Sequence, residues 1–368
     1  MNADRITRAA FVAGLVGLLL SVLGSLLDPH QAYLSYLTAY AAAVSLAVGA
    51  LMLVMIGYLT GAHWFVAFRP LALRVAATLP LFALLFLLIL PGLHQLYPWV
   101  PPLDRLSPDV QQEIRQKQSY LNVPGFLLRA LVYFAVWLGF GRLLRRRPIA
   151  ASAAGLPLLA LTLTFAAFDW LMALTPSWFS TIYGVYYFAG GFLAALGLVA
   201  LLAYLAEQSG QLIGVAREEY HSLGKLLLTF VLFWAYVAYS QLLIVWIADL
   251  PKEVTWYVPR LHGSWGVLGL VLLGGQFVIP FLLLLFRTIT ARSRSLGWLG
   301  GWLLLMHYLD VYWLALPTLH PGGVRFHWLD LAGVLLVGGF GVAYASRLRP
   351  EAFTAVPASR HAGESYAV

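Results

Sequence analysis

A series of long apolar runs constrains this chain more than any other feature. An α-helix rises 1.5 Å per residue, so about 20 mostly apolar residues cross the hydrocarbon core of a bilayer. Ten segments reach that length, at about 9–27, 33–59, 72–91, 123–141, 152–174, 181–205, 225–248, 264–286, 297–316 and 329–346. They predict an all-α polytopic membrane protein, a single integral membrane domain of about ten transmembrane helices over 1–368. Composition agrees. Only 10% of the residues are charged, against about 25% in a soluble domain, too few to wet a surface. The first run follows Arg5 and Arg8 as a signal peptide would, but it is too long for an h-region and lacks a small-x-small cleavage site. It reads as an uncleaved helix.

The chain has no cysteine, which excludes disulfides, thiolate zinc sites, cysteine-held iron–sulfur clusters and covalent c-type haem. A b-type haem needs two histidines at matching depth on facing helices. Of nine histidines only His307 lies deep in a segment, so no haem is expected, and no H-x-x-E-H-type spacing suggests a metal site. The net charge of +8 reads as a topology signal, not as affinity for nucleic acid. With alternating connections, 16 Lys and Arg fall on the side of the N terminus and 6 on the other, while Arg129 lies within a segment. Both termini are therefore expected in the cytoplasm, with 347–368 a cytoplasmic tail and 92–122 the one long periplasmic loop. Within that loop Ser107-Pro108-Asp109 offers an N-cap and a proline at the first helical position. A short polar helix is expected over 110–118, either a solvated lid or a partner-docking element.

An ionisable residue inside a span costs about 2.5–3.5 kcal/mol on insertion scales, so each needs a partner or a purpose. Arg129 and Asp169 lie near the outer ends of the fourth and fifth segments, His307 and Asp310 near that of the ninth, and Asp330 opens the tenth beside His327. Ser240 and Gln241 occupy the outer half of the seventh segment, and Gln276 the middle of the eighth. Arg129 and Asp169 sit about 8–9 Å below the outer boundary on consecutive antiparallel helices, so they can meet. The pair reads either as a structural ion pair or as a carboxylate held ionised for proton or substrate contact. His307 and Asp310, at i and i+3, share one helix face, where imidazole and carboxylate can share a proton as a quinol site or relay requires. The other reading of His307 is a donor to a backbone carbonyl or to Tyr308. The inner half offers mainly isolated hydroxyls such as Tyr58 and Thr229, a one-sided pattern that suits a half-channel or pocket open outward. Kinks are expected at Gly274-Gly275 with Pro280, and at Pro157.

The stretch Phe168-Asp169-Trp170-Leu171-Met172-Ala173-Leu174-Thr175-Pro176-Ser177-Trp178, continuing to Gly184, is too particular for generic membrane sequence. It resembles the DWxMSLxPxWxSTxxG segment of the NrfD-like (polysulfide-reductase-type) membrane subunits of alternative complex III, a bacterial quinol:cytochrome c or quinol:electron-acceptor oxidoreductase. Three further blocks are similar to that family: Leu59-Thr60-Gly61-Ala62-His63-Trp64; Lys117-Gln118-Ser119-Tyr120-Leu121-Asn122 leading to Arg129; and Phe233-Trp234-Ala235-Tyr236 with Ser240-Gln241. The resemblance runs from about residue 30 to about 290. The lack of a GIGHAGT-like run and the shorter length resemble the ActF-type subunit more than the ActC-type one.

The resemblance implies two four-helix bundles, helices 2–5 and 6–9, with helices 1 and 10 at the edge. A faint echo fits, since the fifth helix ends Phe168-Asp169-Trp170-Leu171-Met172-Ala173-Leu174 and the ninth Val311-Tyr312-Trp313-Leu314-Ala315-Leu316. It further implies a bacterial inner membrane location and redox centres in other subunits. The expected partners are membrane lipid, an ActC-like subunit, an iron–sulfur protein and multihaem cytochrome c subunits, with no nucleic acid. Quinone or lipid is the expected non-covalent ligand, and the candidates for a proton path or vestigial quinone pocket are Asp169, Arg129, His307, Asp310, Gln241, Ser240, Gln276 and Tyr120. A purely structural subunit with buried ion pairs is the alternative, and a solute transporter a more distant one.

Overall fold

The computed structural model describes residues 3–104 and 106–348. Arg105, Arg349, Arg360 and the expected tail beyond Leu348 lie outside the described residues. Among the described residues, ten helical runs are long and apolar enough to cross a membrane. Six are single α-helices, α1 (Ala3–Leu27), α2 (Pro29–Thr60), α7 (Val123–Leu143), α9 (Tyr183–Gln208), α10 (Arg217–Ala248) and α16 (Trp328–Arg347), and a seventh is built on α8 (Pro148–Trp170). An eighth, α15 (Ser293–Ala315), continues into a 3₁₀ turn, Leu316–Thr318. The α8 span ends in the same way, through Met172–Leu174, so the two segments whose sequences echo each other also share a terminal geometry.

The remaining two spans are jointed. The third, Arg69–Leu96, comprises α3 (Arg69–Ala76), α4 (Leu79–Phe86), a 3₁₀ segment Leu87–Gly92 and α5 (Leu93–Leu96). The sequence reading of 72–91 as one helix is corrected here: Pro80 and Pro91 lack the N–H that would continue the ladder. The eighth span joins α12 (Gly263–Leu272) to α13 (Ile279–Leu284) through a π-helical turn, Leu273–Val278. The irregularity expected at Gly274-Gly275 is this turn, whereas α8 continues as α-helix through Pro157. Outside the spans, α6 (Pro108–Gln116) is the expected polar helix, begun by Pro108, although the Ser107 hydroxyl makes no cap hydrogen bond. On the same side α11 (Pro251–Leu261) precedes α12, and at the opposite end α14 (Arg287–Thr290) precedes α15.

The spans are arranged around α2. Its most apolar window is 83% buried, against 17% for α1, because α2 packs on α3, α8, α9, α15 and α16 at once. The runs of α2, α3–α5, α7 and α8 close one four-helix group, and those of α9, α10, α12–α13 and α15 close a second, while α1 pairs with α16 at the edge. This matches the expected architecture. Lipid tails are as apolar as leucine, so helices in a bilayer associate through close contact and polar bonds. Both appear. A Cβ on Gly300 of α15 would lie 2.1 Å from the Gly197 carbonyl oxygen of α9, so glycine lets those backbones touch. Asp330 of α16 accepts from Ser35 (2.5 Å) and Gln31 (3.3 Å) of α2, while its other oxygen caps α16 through the His327 N–H (2.8 Å).

Candidate functional site

Two of the three carboxylates buried among the described residues, Asp169 and Asp310, lie at the same end of two spans that run in the same direction, and their surroundings differ. The first is Asp169, at the last turn of α8. Asn122 caps α7 by accepting from Gly125 N (2.7 Å), and the helix so started carries Arg129 to Asp169. Arg129 Nε donates to Oδ2 and Nη2 to Oδ1, both at 2.9 Å, and the Tyr133 hydroxyl adds a third bond at 2.6 Å. The expected meeting of Arg129 and Asp169 therefore occurs in bidentate form. Tyr120 completes the group: its ring stacks 3.9 Å from the guanidinium carbon and its carbonyl accepts from Nη1 at 3.0 Å.

Two of the quoted sequence blocks, Lys117–Asn122 and Phe168–Gly184, meet in a rim around this pair, whereas Leu59–Trp64 lies at the opposite end of α2. Lys117 donates to the Pro176 carbonyl at 2.6 Å, and burial lowers its pKa. Trp178 stacks on Trp256 of α11, with centroids 4.4 Å apart and planes 12° apart, and its indole N–H donates to the Glu253 carbonyl. Arg260 of α11 stacks on the other ring of this pair, 3.6 Å from the Trp256 centroid, and donates to the Trp256 and Leu314 carbonyls at 2.7 Å each. It is 2% exposed, and burial pushes it down to about 9. The rim thus fastens α11 to the end of α15.

Asp310 of α15 is the second carboxylate. Tyr186 of α9 donates to Oδ1, and Trp234 of α10 donates to Oδ2 at 3.1 Å. The π-helical turn brings in Gln276, whose amide satisfies both neighbours when Oε1 accepts from Trp234 Nε1 (3.1 Å) and Nε2 donates to the Met306 carbonyl (3.2 Å). Asp310 forms no ion pair among the described residues. A carboxylate held only by neutral donors can exchange a proton without breaking an ion pair, which Asp169 cannot do.

His307 lies beside this group. Its Nε2 approaches Ser45 Oγ (2.9 Å) and the Ala42 carbonyl (3.3 Å). Since Ser45 spends its own proton on Ala42 (3.0 Å), Nε2 carries the hydrogen and Nδ1 is left as an acceptor. Nδ1 has no hydrogen-bond partner among the described residues. A Cβ on Gly190 of α9 would lie 3.1 Å from Nδ1 and 3.2 Å from Asp310 Oδ2, so His307 and Asp310 border one narrow gap that glycine keeps open. The backbone-carbonyl reading of His307 holds for Nε2, with Ser45 as an added partner.

Tyr186 and Trp234, the two donors to Asp310, also form part of the wall of a cavity of about 890 Å³ between α10, α11, α12 and α15. Gln241, Trp256, Leu270 and Phe277 line it further. Its lining includes Tyr236, Tyr239 and Leu270, all more than 60% exposed on the lipid-facing side. Gln241 is buried in the wall, whereas Ser240 is half-buried and lies off it. The structure therefore sorts the candidates into two groups: Tyr120, Arg129 and Asp169 around an ion pair, and His307, Asp310, Gln276 and Gln241 around a carboxylate and a cavity.

Sequence reasoning did not single out Tyr133, Tyr186, Trp234, Ser45 or Arg260 as site residues. The available signals were hydroxyl- and indole-bearing residues inside spans. Tyr133 stands four residues after Arg129, on the same helix face, and Trp234 lies within the Phe233-Trp234-Ala235-Tyr236 block.

The fold and these groups define a multi-pass integral membrane protein with buried carboxylates gathered toward one membrane face. No family model and no curated protein matches the chain.

Proposed function

We propose that this chain is an integral membrane subunit of a respiratory quinol oxidoreductase of the alternative complex III type, ActF-like. It would scaffold the membrane arm and pass protons toward the outer side through Asp310. The supporting observation is the shared wall: Tyr186 and Trp234 hold Asp310 and also face an apolar cavity of about 890 Å³. A quinol needs an apolar slot for its ring and tail, and a group that accepts a hydroxyl proton within hydrogen-bond reach. Oxidation releases two protons and two electrons. Asp310 stands behind the wall, so each proton would pass by way of the Tyr186 hydroxyl, which takes the quinol proton as it gives its own to Asp310, with His307 Nδ1 beside the carboxylate. The electrons pass to an iron–sulfur protein and multihaem cytochrome c subunits, since the chain supplies no cysteine. An ActC-like subunit would stand beside it in the bacterial cytoplasmic membrane, with both termini inside by the distribution of arginine.

A second reading, a purely structural subunit, is favoured by one observation, the closed ion pair of Arg129 and Asp169 with Tyr133. Purification separates both from a solute transporter, which would act alone, because a respiratory subunit co-migrates with haem-bearing polypeptides. Within the assembled complex, Asp310→Asn is expected to lower quinol oxidation about 10²-fold, the contribution of a positioned proton acceptor. Full turnover and an unchanged proton-to-electron ratio in liposomes would favour the structural reading instead.

A further inference from the structure

At the arginine-rich end of the molecule, opposite the site above, a pocket of about 380 Å³ opens between α2, α3, α4, α7 and α16. It belongs to no group described so far. Its polar lining is Arg142, Arg145, Tyr58 and Tyr344, with no acidic residue among the described lining residues. Arg69 adds a third cation at the edge, 5.2 Å from the Tyr58 ring centroid. The apolar lining, from residues such as Leu51, Leu73, Leu79 and Leu138, runs from the level of the arginines toward the middle of the spans. On α7 the pocket is open at Gly141, where an added Cβ would find nothing within 4 Å.

We propose that this pocket seats an anionic diacyl phospholipid of the adjoining leaflet. Guanidinium groups bind phosphate oxygens in a planar fork, and phenol hydroxyls can donate to the remaining oxygens. The leucines continue the slot into the hydrocarbon region, where an acyl chain replaces the missing side chain of Gly141. A basic pocket between helices at a membrane surface is the chemistry that selects an anionic over a zwitterionic headgroup. The inference does not depend on the quinol reading.

The test uses the full chain, purified in detergent and exposed to equal amounts of phosphatidylglycerol and phosphatidylcholine with matched acyl chains. Bound lipid is read by native mass spectrometry. Phosphatidylglycerol is expected to be retained at least about fivefold over phosphatidylcholine, the factor that one basic group contributes at a membrane surface. The double variant Arg142→Gln/Arg145→Gln should abolish the preference. Arg146→Gln/Arg147→Gln, which removes the same charge from exposed positions off the pocket, should leave it intact. Gly141→Phe keeps every charge but fills the slot, and should lower retention of both lipids. The proposal is overturned by equal retention of the two lipids by the native chain, by an equal loss in the two double variants, or by displacement of the lipid with glycerol phosphate at matched concentration, since the pocket would then read phosphate alone.

Discussion

Arg129 holds both oxygens of Asp169 at 2.9 Å, so the two side chains form a planar, closed pair. Asp310, toward the same face in the second four-helix group, meets a phenol and an indole instead. The chain thus keeps one buried carboxylate compensated by a cation and a second one held by neutral groups.

Removing one partner of the first pair leaves an uncompensated buried charge. Arg129→Met is expected to cost about 3–5 kcal/mol, the range for breaking a buried ion pair. Adding Asp169→Asn should recover part of that loss. Thermal melting of the detergent-purified chain measures both, and a double variant no more stable than the single one would show that the two residues are not coupled.

Gly190 leaves a gap one carbon wide between His307 and Asp310. Gly190→Ala is expected to displace both side chains at a cost of about 1–3 kcal/mol, as overpacking does, and to disturb any chemistry at Asp310. Gly301→Ala on α15 is the matched control, because its nearest neighbour would be 3.9 Å away. Equal melting temperatures for the two variants would refute the close approach.

Arg260 ties α11 to α15 by stacking on Trp256 and reaching the Leu314 carbonyl. A lysine has one point of charge and no planar face, so Arg260→Lys cannot make both contacts. Hydrogen exchange should rise across α11 severalfold while α2 stays protected. Unchanged exchange in α11 would show that other contacts suffice.

On the same face, the hydrogen bond from Lys252 holds the Glu113 carboxyl below its usual range and joins α6 to α11 (2.6 Å). A carboxylate with a lowered folded pKa stabilises fully above its unfolded value, and the contribution is lost as pH falls through the folded one. Relative to the intrinsic amide rate at each pH, exchange in α6 should therefore quicken only below the ordinary range of glutamate. Glu113→Gln should show the quicker rate already at neutral pH, and salt should weaken the effect in the native chain.

The apolar runs made the ten spans legible, since length and hydropathy alone decide whether a helix can cross a bilayer. The Arg129–Asp169 pair was legible for a related reason: consecutive antiparallel helices put residues of known depth at the same level. The surroundings of Asp310 were not. Tyr186 and Trp234 lie 124 and 76 residues before it, and which faces of α9 and α10 turn toward α15 depends on packing that no local pattern encodes. Gln276 was placed near the midplane by counting, but the π-helical turn that rotates it toward Trp234 changes the register of the span. The joints in the third span have their signal in Pro80 and Pro91, but hydropathy alone does not show them, because the hydrophobic run does not pause at either proline.

The burial of α2 also orders the history of the molecule. Ser35 is bonded to Asp330, which the ribosome adds 295 residues later. During that interval the polar side chains of α2 have no native partner from α16, so the hub of the protein enters the membrane long before its enclosure is complete. Biogenesis must shelter Gln31 and Ser35, with water, lipid headgroups or an insertion factor, until the final span arrives to claim them.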